Sequence, residues 1–502
     1  MKKNVLRAFA LSALLLAGAS GMQAQEKTYE VPPMNPEYQT EVEKVIKLSM
    51  DDPDAANKIY MKLERKIANS KEDLVSIGTY FLDNNNYPAA KRCADRVYQI
   101  APEYIPGLMF SGEVCMKRKD WGGAGQKFDA VLLADSNNVN ALKRNAFVYR
   151  NVNPIVALET LTRIKKLEPT YYEADRIMGD IYYKDNKYKK AIESYDVYYK
   201  ETPKDKDLNI RSCENYVQSL FSMSAAEPEN NKKITSIVSE VLPLDPKDMV
   251  LHRMDFFAKM GILGEAMDYD GALKAAEEAS AYITNGEFSD SLLLSLDYEY
   301  AAMLAREKGD KALAVSYFEK ALAKDPEKVV NYKELAKYYR QNKQFDKAVA
   351  TYNTYMEKKG EKVDAVDYFG LGQEYLMAAR NTTDEALKQQ YIAGGDAAYN
   401  KVLEKKPDFY RALMQQAVLH ITDQSKPEDA PKEYYEKALA LMEGEDDSAN
   451  SSRLLAAQYI AFYYAQKDDF DTCRKYVNIM LKADPENEQA KSFDSSLKSM
   501  GK

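Results

Sequence analysis

Histidine and tryptophan are scarce in this chain of 502 residues, which contains two histidines and one tryptophan. The histidines, His252 and His420, lie far apart, and neither has a second histidine or a cysteine at the spacing of metal ligands. His420 follows the apolar residues 417–419, so we interpret it as a partly buried histidine with a hydrogen-bond partner. The sequence therefore predicts no metal site.

Short catalytic motifs are also missing. The chain contains no Gly-x-Ser-x-Gly, no His-Glu-x-x-His and no phosphate-binding loop of the nucleotide hydrolases. The glycine-rich segment 121–125 is interpreted as a turn between two helices. Aspartate and glutamate are abundant, but no pair is set apart for acid–base chemistry. We predict no catalytic residue, no cofactor and no enzymatic activity.

Long apolar runs are restricted to one stretch near the start, residues 8–19, with basic residues before it and small residues after it. This order is typical of a secretory signal peptide, and the stretch is too short to span a membrane. We predict a signal peptide over residues 1–24, cleaved after Ala24. Cleavage after Gly21, an uncleaved anchor and an internal core helix are the alternatives.

The remainder of the chain has no further stretch of about 18 apolar residues, the length that spans a bilayer. Its first cysteine is Cys93, so no cysteine stands at the cleavage region and a lipoprotein anchor is not expected. The mature chain is predicted to be soluble and periplasmic, or secreted. Residues 25–36, which include three prolines, are predicted to form an extended linker.

Positive charge is not in excess. The net charge is −8, and removal of Lys2, Lys3 and Arg7 with the signal peptide takes it to −11. Nucleic acid and anionic membrane surfaces both attract clustered basic charge. Neither is an expected partner of this chain.

A pattern of small and aromatic residues between prolines recurs along the chain. Pro169 and Pro203 are 34 residues apart, and the interval contains Gly179, Ala191 and Tyr195 in a fixed order. Large–small alternation with this period is typical of stacked helix–turn–helix repeats. Many of the 38 tyrosines fall at core positions of this frame, so we interpret them mainly as packing residues.

This pattern resembles the tetratricopeptide repeat family over nearly all of residues 37–500. The resemblance implies an all-α fold, a right-handed superhelical α-solenoid of about twelve repeats with a C-terminal capping helix. The predicted organisation after the linker has four parts: an N-terminal array at 37–247, a degenerate repeat at 248–288, a C-terminal array at 289–486, and a capping helix and tail at 487–502.

Four cysteines in an exported chain permit disulfides. Cys93 and Cys115 lie on helices of consecutive repeats that are expected to pack together, so a bridge between them is geometrically possible. Free buried thiols are the interpretation we favour. Cys213 and Cys473 are seven repeats apart and are not expected to meet.

The resemblance also implies where a ligand binds, because the first helices of such repeats line an inner, concave groove that commonly takes peptides. Lys333, Lys337 and Arg340 share one helical face and form a basic stripe that suits a carboxylate or an acidic segment of a partner. An ordinary solvated face is the alternative. The other inward positions are Glu113, Lys117, Arg176, Asp180, Tyr183, Glu299 and Arg306.

Three functions are compatible with these features. The leading hypothesis is a non-catalytic scaffold or adaptor of the bacterial cell envelope that binds a protein or peptide partner in the groove. The second is a periplasmic holdase or assembly factor for outer-membrane or secreted proteins. The third is an accessory glycan-capture protein, which is disfavoured by the lack of an anchoring cysteine and of long inserted loops. The oligomeric state is left open.

Overall fold

The computed structural model describes residues 29–423, 425–443 and 446–501. The predicted signal peptide lies outside the described residues. All regular secondary structure in the described ranges is helical, with 25 α-helices, a few short 3-10 helices and no strand. The predicted all-α class is confirmed. The helices form two compact units, one ending at Ala279 and one beginning at Ser280.

The first unit contains fourteen helices, which pair into seven hairpins of consecutive helices. Their bounds are α1 Pro36–Asp51, α2 Pro53–Ile67, α3 Lys71–Asp83, α4 Tyr87–Ile100, α5 Ile105–Lys117, α6 Trp121–Ala134, α7 Val139–Tyr149, α8 Pro154–Leu167, α9 Glu173–Lys184, α10 Tyr188–Glu201, α11 Ile210–Met223, α12 Asn230–Val241, α13 Met249–Leu263 and α14 Tyr269–Ala279.

The second unit contains five more hairpins and a last single helix, α25, which packs on α24. The bounds are α15 Ser295–Glu307, α16 Lys311–Lys324, α17 Val329–Gln341, α18 Phe345–Lys359, α19 Ala365–Asn381, α20 Glu385–Lys405, α21 Tyr410–His420, α22 Asp429–Leu441, α23 Asn450–Gln466, α24 Phe470–Ala483 and α25 Glu488–Ser499. The predicted repeat number of about twelve with a terminal helix is therefore confirmed. The predicted domain boundaries remain a prediction.

Several hairpins are closed by small–large packing between their two helices. Gly179 on α9 faces Tyr195 on α10, and a Cβ atom at position 179 would lie 2.5 Å from the Tyr195 ring. Tyr195 and Ala191 are fully buried. Since real Cβ contacts are never this short, only glycine lets the helices approach so closely.

The turn inside a hairpin uses a left-handed residue followed by a helix cap. Lys119 has a φ of 62°, and the next amide, of Asp120, donates to the Cys115 carbonyl at 2.9 Å. The Asp120 carboxylate then accepts from the Gly123 amide at 2.9 Å and caps α6. Segment 121–125 is thus the first turn of α6, and its interpretation as the inter-helix turn was wrong.

All four cysteines are free thiols. Cys93 is buried, with its Sγ 3.7 Å from the Tyr60 hydroxyl, and burial raises its pKa to about 12. Burial likewise raises the pKa of Cys213 to about 12. These thiols are packing residues, in agreement with the interpretation favoured from the sequence.

Candidate functional site

The predicted inward residues all lie on the first helix of a hairpin, on α5, α9, α15 and α17. Within each unit, we call the surface formed by the first helices of the hairpins the first-helix face. It includes α3, α5, α7, α9, α11 and α13 in the first unit and α15, α17 and α19 in the second. Neighbouring first helices contact one another within each unit, for example α3 with α5, α9 with α11 and α19 with α21. Side chains of this face therefore join one hairpin to the next.

Arg176 and Asp180, both predicted, are brought into direct contact on α9. The Arg176 guanidinium donates to Asp180 at 2.7 Å, to Glu173 at 2.7 Å and across to the Ser212 hydroxyl on α11 at 2.9 Å. Asp180 also accepts from the Tyr195 hydroxyl at 2.7 Å. The predicted pair thus forms a dense network that links α9, α10 and α11.

Tyr183, the third predicted residue of α9, is half-buried and reaches the same neighbouring helix. Its hydroxyl donates to Gln218 Oε1 on α11 at 3.3 Å, and burial raises its pKa. Glu214, on the same helix α11, pairs with Arg211. Burial and then the Asp248 carboxylate raise the pKa of Glu214, and Arg211 opposes them.

Glu113 and Lys117 on α5 have different environments. Glu113 is 9% exposed and forms an ion pair with Arg144 of α7, with a distance of 2.5 Å between Oε1 and Nε. Lys117 is exposed to solvent. Of the two, only Lys117 presents a largely accessible side chain.

Glu299 on α15 is buried and accepts hydrogen bonds from several neighbouring side chains. It is 3% exposed and accepts from Lys328 at 2.8 Å, from the Asn331 amide on α17 at 2.9 Å and from Ser295 at 2.8 Å. Arg306, two turns further along α15, pairs with Glu307 at 2.8 Å and is 30% exposed. The second unit therefore repeats the design of the first, with polar bonds between neighbouring first helices.

The predicted basic stripe on α17 is matched by carboxylates. Lys333 donates to Asp367 at 3.1 Å and Arg340 donates to Glu374 at 2.8 Å, both on α19, while Lys337 lies 3.4 Å from Glu334. Asp367 and Glu374 are nearly inaccessible, but Lys333 and Arg340 remain 36% and 32% exposed. The stripe is thus a row of positioned donors whose charge is partly neutralised.

Asp367, which accepts from Lys333 of this stripe, has a lowered pKa. Burial opposes its charge, but hydrogen bonds from Lys359, from the Tyr355 hydroxyl at 2.7 Å and from Lys333 outweigh burial and hold its pKa well below the usual range. Asp367 therefore stays charged at physiological pH and anchors Lys333.

A sequence model of the tetratricopeptide repeat matches residues 301–361, which contain the second half of α15 and all of α16, α17 and α18. This segment carries the basic stripe, and its hairpin geometry recurs through both units. The chain therefore carries tetratricopeptide repeats in this segment.

Solved structures of other proteins with this repeat are also similar. The C-terminal part of a repeat-containing protein from Cytophaga hutchinsonii is 18% identical, covering 63% of this chain and 97% of its own, with a TM-score of 0.37. A tetratricopeptide repeat protein from Parabacteroides merdae is 16% identical, covering 54% of this chain and 98% of its own, with a TM-score of 0.33. No curated protein matches the sequence of this chain.

The carboxylates on α19 were missed in the sequence analysis. Lys333 and Asp367 are 34 residues apart, as are Arg340 and Glu374. Opposite charges separated by one repeat period are therefore the signal that identifies such partners, because equivalent positions of stacked first helices are neighbours.

Histidine, cysteine, aspartate and glutamate side chains are the candidate metal ligands in the described part of the chain. No group of three or more histidine, cysteine, aspartate or glutamate side chains there is arranged to hold a metal ion. His420 is 24% exposed and lies 2.8 Å from Asp396, so its interpretation as a hydrogen-bonded, partly buried residue is confirmed. No helix in the described ranges is long and apolar enough to cross a bilayer.

A cavity of about 240 Å³ lies near the C-terminal end of the repeat protein, between α23, α24 and α25. It is lined without any charged side chain, by Ala465, Phe470, Cys473, Gln489, Ser492, Phe493, Ser496, Leu497 and Met500. Burial raises the pKa of the Cys473 thiol, which lines this cavity.

Proposed function

We propose that this protein is a non-catalytic scaffold of the bacterial cell envelope that binds a partner protein or peptide along its first-helix face. The repeat fold supports a protein partner, because it offers a long side-chain surface and no built-in chemistry. The envelope location rests on the predicted signal peptide alone.

The observation that carries the proposal is the partial exposure of the positioned cations on α17. A lysine ammonium has three donors and an arginine guanidinium has five. Lys333 and Arg340 each use one donor on a carboxylate of α19, and about a third of each side chain remains accessible. A partner's carboxylate or backbone carbonyl can take the remaining donors without reorganisation of the site, which reduces the entropic cost of binding.

In-cell photo-crosslinking tests the proposal. A photoreactive residue at position 337, which leaves Lys333 and Arg340 in place, should crosslink to one reproducible envelope protein. The matched control is position 347 on α18, where the Lys347 side chain is 60% exposed and lies outside the first-helix face. Equal recovery from position 347, or no reproducible partner from position 337, would contradict the proposal. A broad set of unrelated exported proteins would instead favour the holdase hypothesis.

A further inference from the structure

The chain's own N-terminal segment lies on the first-helix face of the first unit. We call residues 29–35 the N-terminal arm. Tyr29 shares a hydrogen bond of 2.8 Å with the hydroxyl of Thr79 on α3, although 50 residues separate them. Thr79 is only 2% exposed, so the Tyr29 hydroxyl lies between helices rather than over an open surface. The pair of Glu113 and Arg144 acts electrostatically on the same hydroxyl.

The ring of Tyr29 packs against two separate hydrophobic clusters. One is formed by residues of α1 to α5 and the other by residues of α5 to α7. Met34 also packs against the first cluster. Tyr29 thus fills the space where the first helices of the second, third and fourth hairpins come together.

Tyr104, the residue before α5, has a pKa raised first by burial, and the carboxylates of Glu72 and Glu30 raise it further. Glu30 of the arm is therefore near enough to Tyr104 to act on it electrostatically, and α1 begins after the arm at Pro36. No residue from Tyr29 to Asn35 belongs to a helix, and the arm contains Pro32 and Pro33, which favour extended backbone.

This arrangement has the form of a peptide bound in a groove, with one aromatic anchor and an extended backbone. Tyrosine combines a large apolar ring with a polar tip, and the site supplies an apolar wall for the ring and the Thr79 hydroxyl for the tip. The prolines restrict the free segment and so reduce the entropy lost when it is ordered.

We propose that Thr79, Glu113 and Arg144 mark a tyrosine-binding subsite, which the N-terminal arm occupies within the chain and which an extended, tyrosine-bearing segment of the partner enters by displacing the arm. This inference rests on the proposed function and names the kind of segment that the first-helix face of the first unit selects.

A labelled synthetic peptide with the sequence of residues 29–35 is the probe, and fluorescence anisotropy with the purified full chain is the measurement. The Tyr29→Ala variant should bind this peptide at least ten-fold more tightly than wild type, because the competing side chain is gone. Adding Thr79→Val to that variant should weaken binding several-fold, because one buried hydrogen bond is lost. Tyr98→Ala is the matched control, since Tyr98 lies on α4 and is 47% exposed; it should behave as wild type.

A second peptide with alanine in place of its tyrosine should not bind any of these proteins. Equal binding of both peptides, or equal affinity of wild type and Tyr29→Ala, would overturn the inference and leave the arm as a packing element only. That result would not affect the proposed function, because crosslinking from position 337 on α17 is measured independently of the arm.

Discussion

Glu374 is a buried carboxyl group whose charge should make the second unit less stable as the pH rises. Its side chain is 4% exposed, Oε1 accepts from Arg340 at 2.8 Å, and Oε2 has no hydrogen-bond partner in the described part of the chain. Burial raises its pKa from 4.5 to about 7, and the charge of Arg340 only partly offsets this. The folded protein therefore holds this proton over a pH range in which an opened chain releases it.

The sign follows from this difference in proton binding. Between pH 4.5 and 7 the folded state binds more protons at Glu374 than the opened state does, so the free energy of opening falls as the pH rises. One pKa unit corresponds to about 1.36 kcal/mol, and integration from pH 5 to pH 8 gives a loss of about 2.5 kcal/mol. This loss of opening free energy is nearly complete above pH 7 and small below pH 4.5.

Hydrogen exchange of peptides from α19, followed by mass spectrometry, measures this free energy locally. After correction for the intrinsic exchange rate at each pH, wild type should lose about 2.5 kcal/mol of opening free energy between pH 5 and pH 8 through this residue. Glu374→Gln should lack that loss, since an amide does not titrate. Glu385→Gln on α20 changes an exposed carboxylate and serves as the control.

The reasoning would be refuted by equal pH slopes in wild type and Glu374→Gln. Such a result would mean that Glu374 is ionised in the folded state throughout this range, and that Arg340 compensates its burial fully. The unsatisfied Oε2 atom would then need a partner that the described residues do not supply.

Three further predictions can be checked by thermal or chemical unfolding. Gly179→Ala should destabilise by about 1–3 kcal/mol because the added Cβ meets the Tyr195 ring, whereas Gly122→Ala, whose Cβ meets no atom closer than 4.0 Å, should be neutral or stabilising; equal effects would contradict the close approach. Asp310→Ala should lower the free energy of unfolding by about 1 kcal/mol because the cap of α16 is lost. Asp310→Asn should keep most of that stability, because asparagine is also a favourable capping residue. Lys343→Gly should stabilise by up to about 1 kcal/mol because φ is 59° there, and Lys343→Ala should not.

The hairpins were predictable because their determinants are local. The pairing of Gly179 with Tyr195 involves residues 16 positions apart on consecutive helices, and the same small–large exchange recurs with Gly112 and Phe128. Both residues of such a pair fall within a short stretch of sequence, so the pairing can be recognised from the sequence alone. Its recurrence gives the period of 34 residues and the number of repeats. The turn before α6 was misplaced because the glycines of segment 121–125 outweighed Asp120, a favourable capping residue.

The contacts between hairpins were only partly predictable. Helical spacing placed Lys333, Lys337 and Arg340 on one face, but a face alone does not show which charges are already paired. The carboxyl groups that accept hydrogen bonds from two of them lie one repeat later in the sequence, which is beyond the range that helix periodicity describes. The position of Tyr29 had no such signal, because it depends on a single side chain and on a contact across 50 residues.

Pairing across the repeat period affects how the first-helix face can recognise a partner. Cations on α17 that were free would attract any acidic segment, and the attraction would be strongly reduced by salt. Here Asp367 and Glu374 hold Lys333 and Arg340 in fixed positions, and the ionised Asp367 offsets the charge of Lys333, so what remains is a set of directed hydrogen-bond donors. Selection by directed donors depends on the spacing of the partner's acceptors more than on its net charge. The buried carboxylates therefore contribute to specificity although they are nearly inaccessible, and removal of Glu374 should loosen selection even where Arg340 is intact.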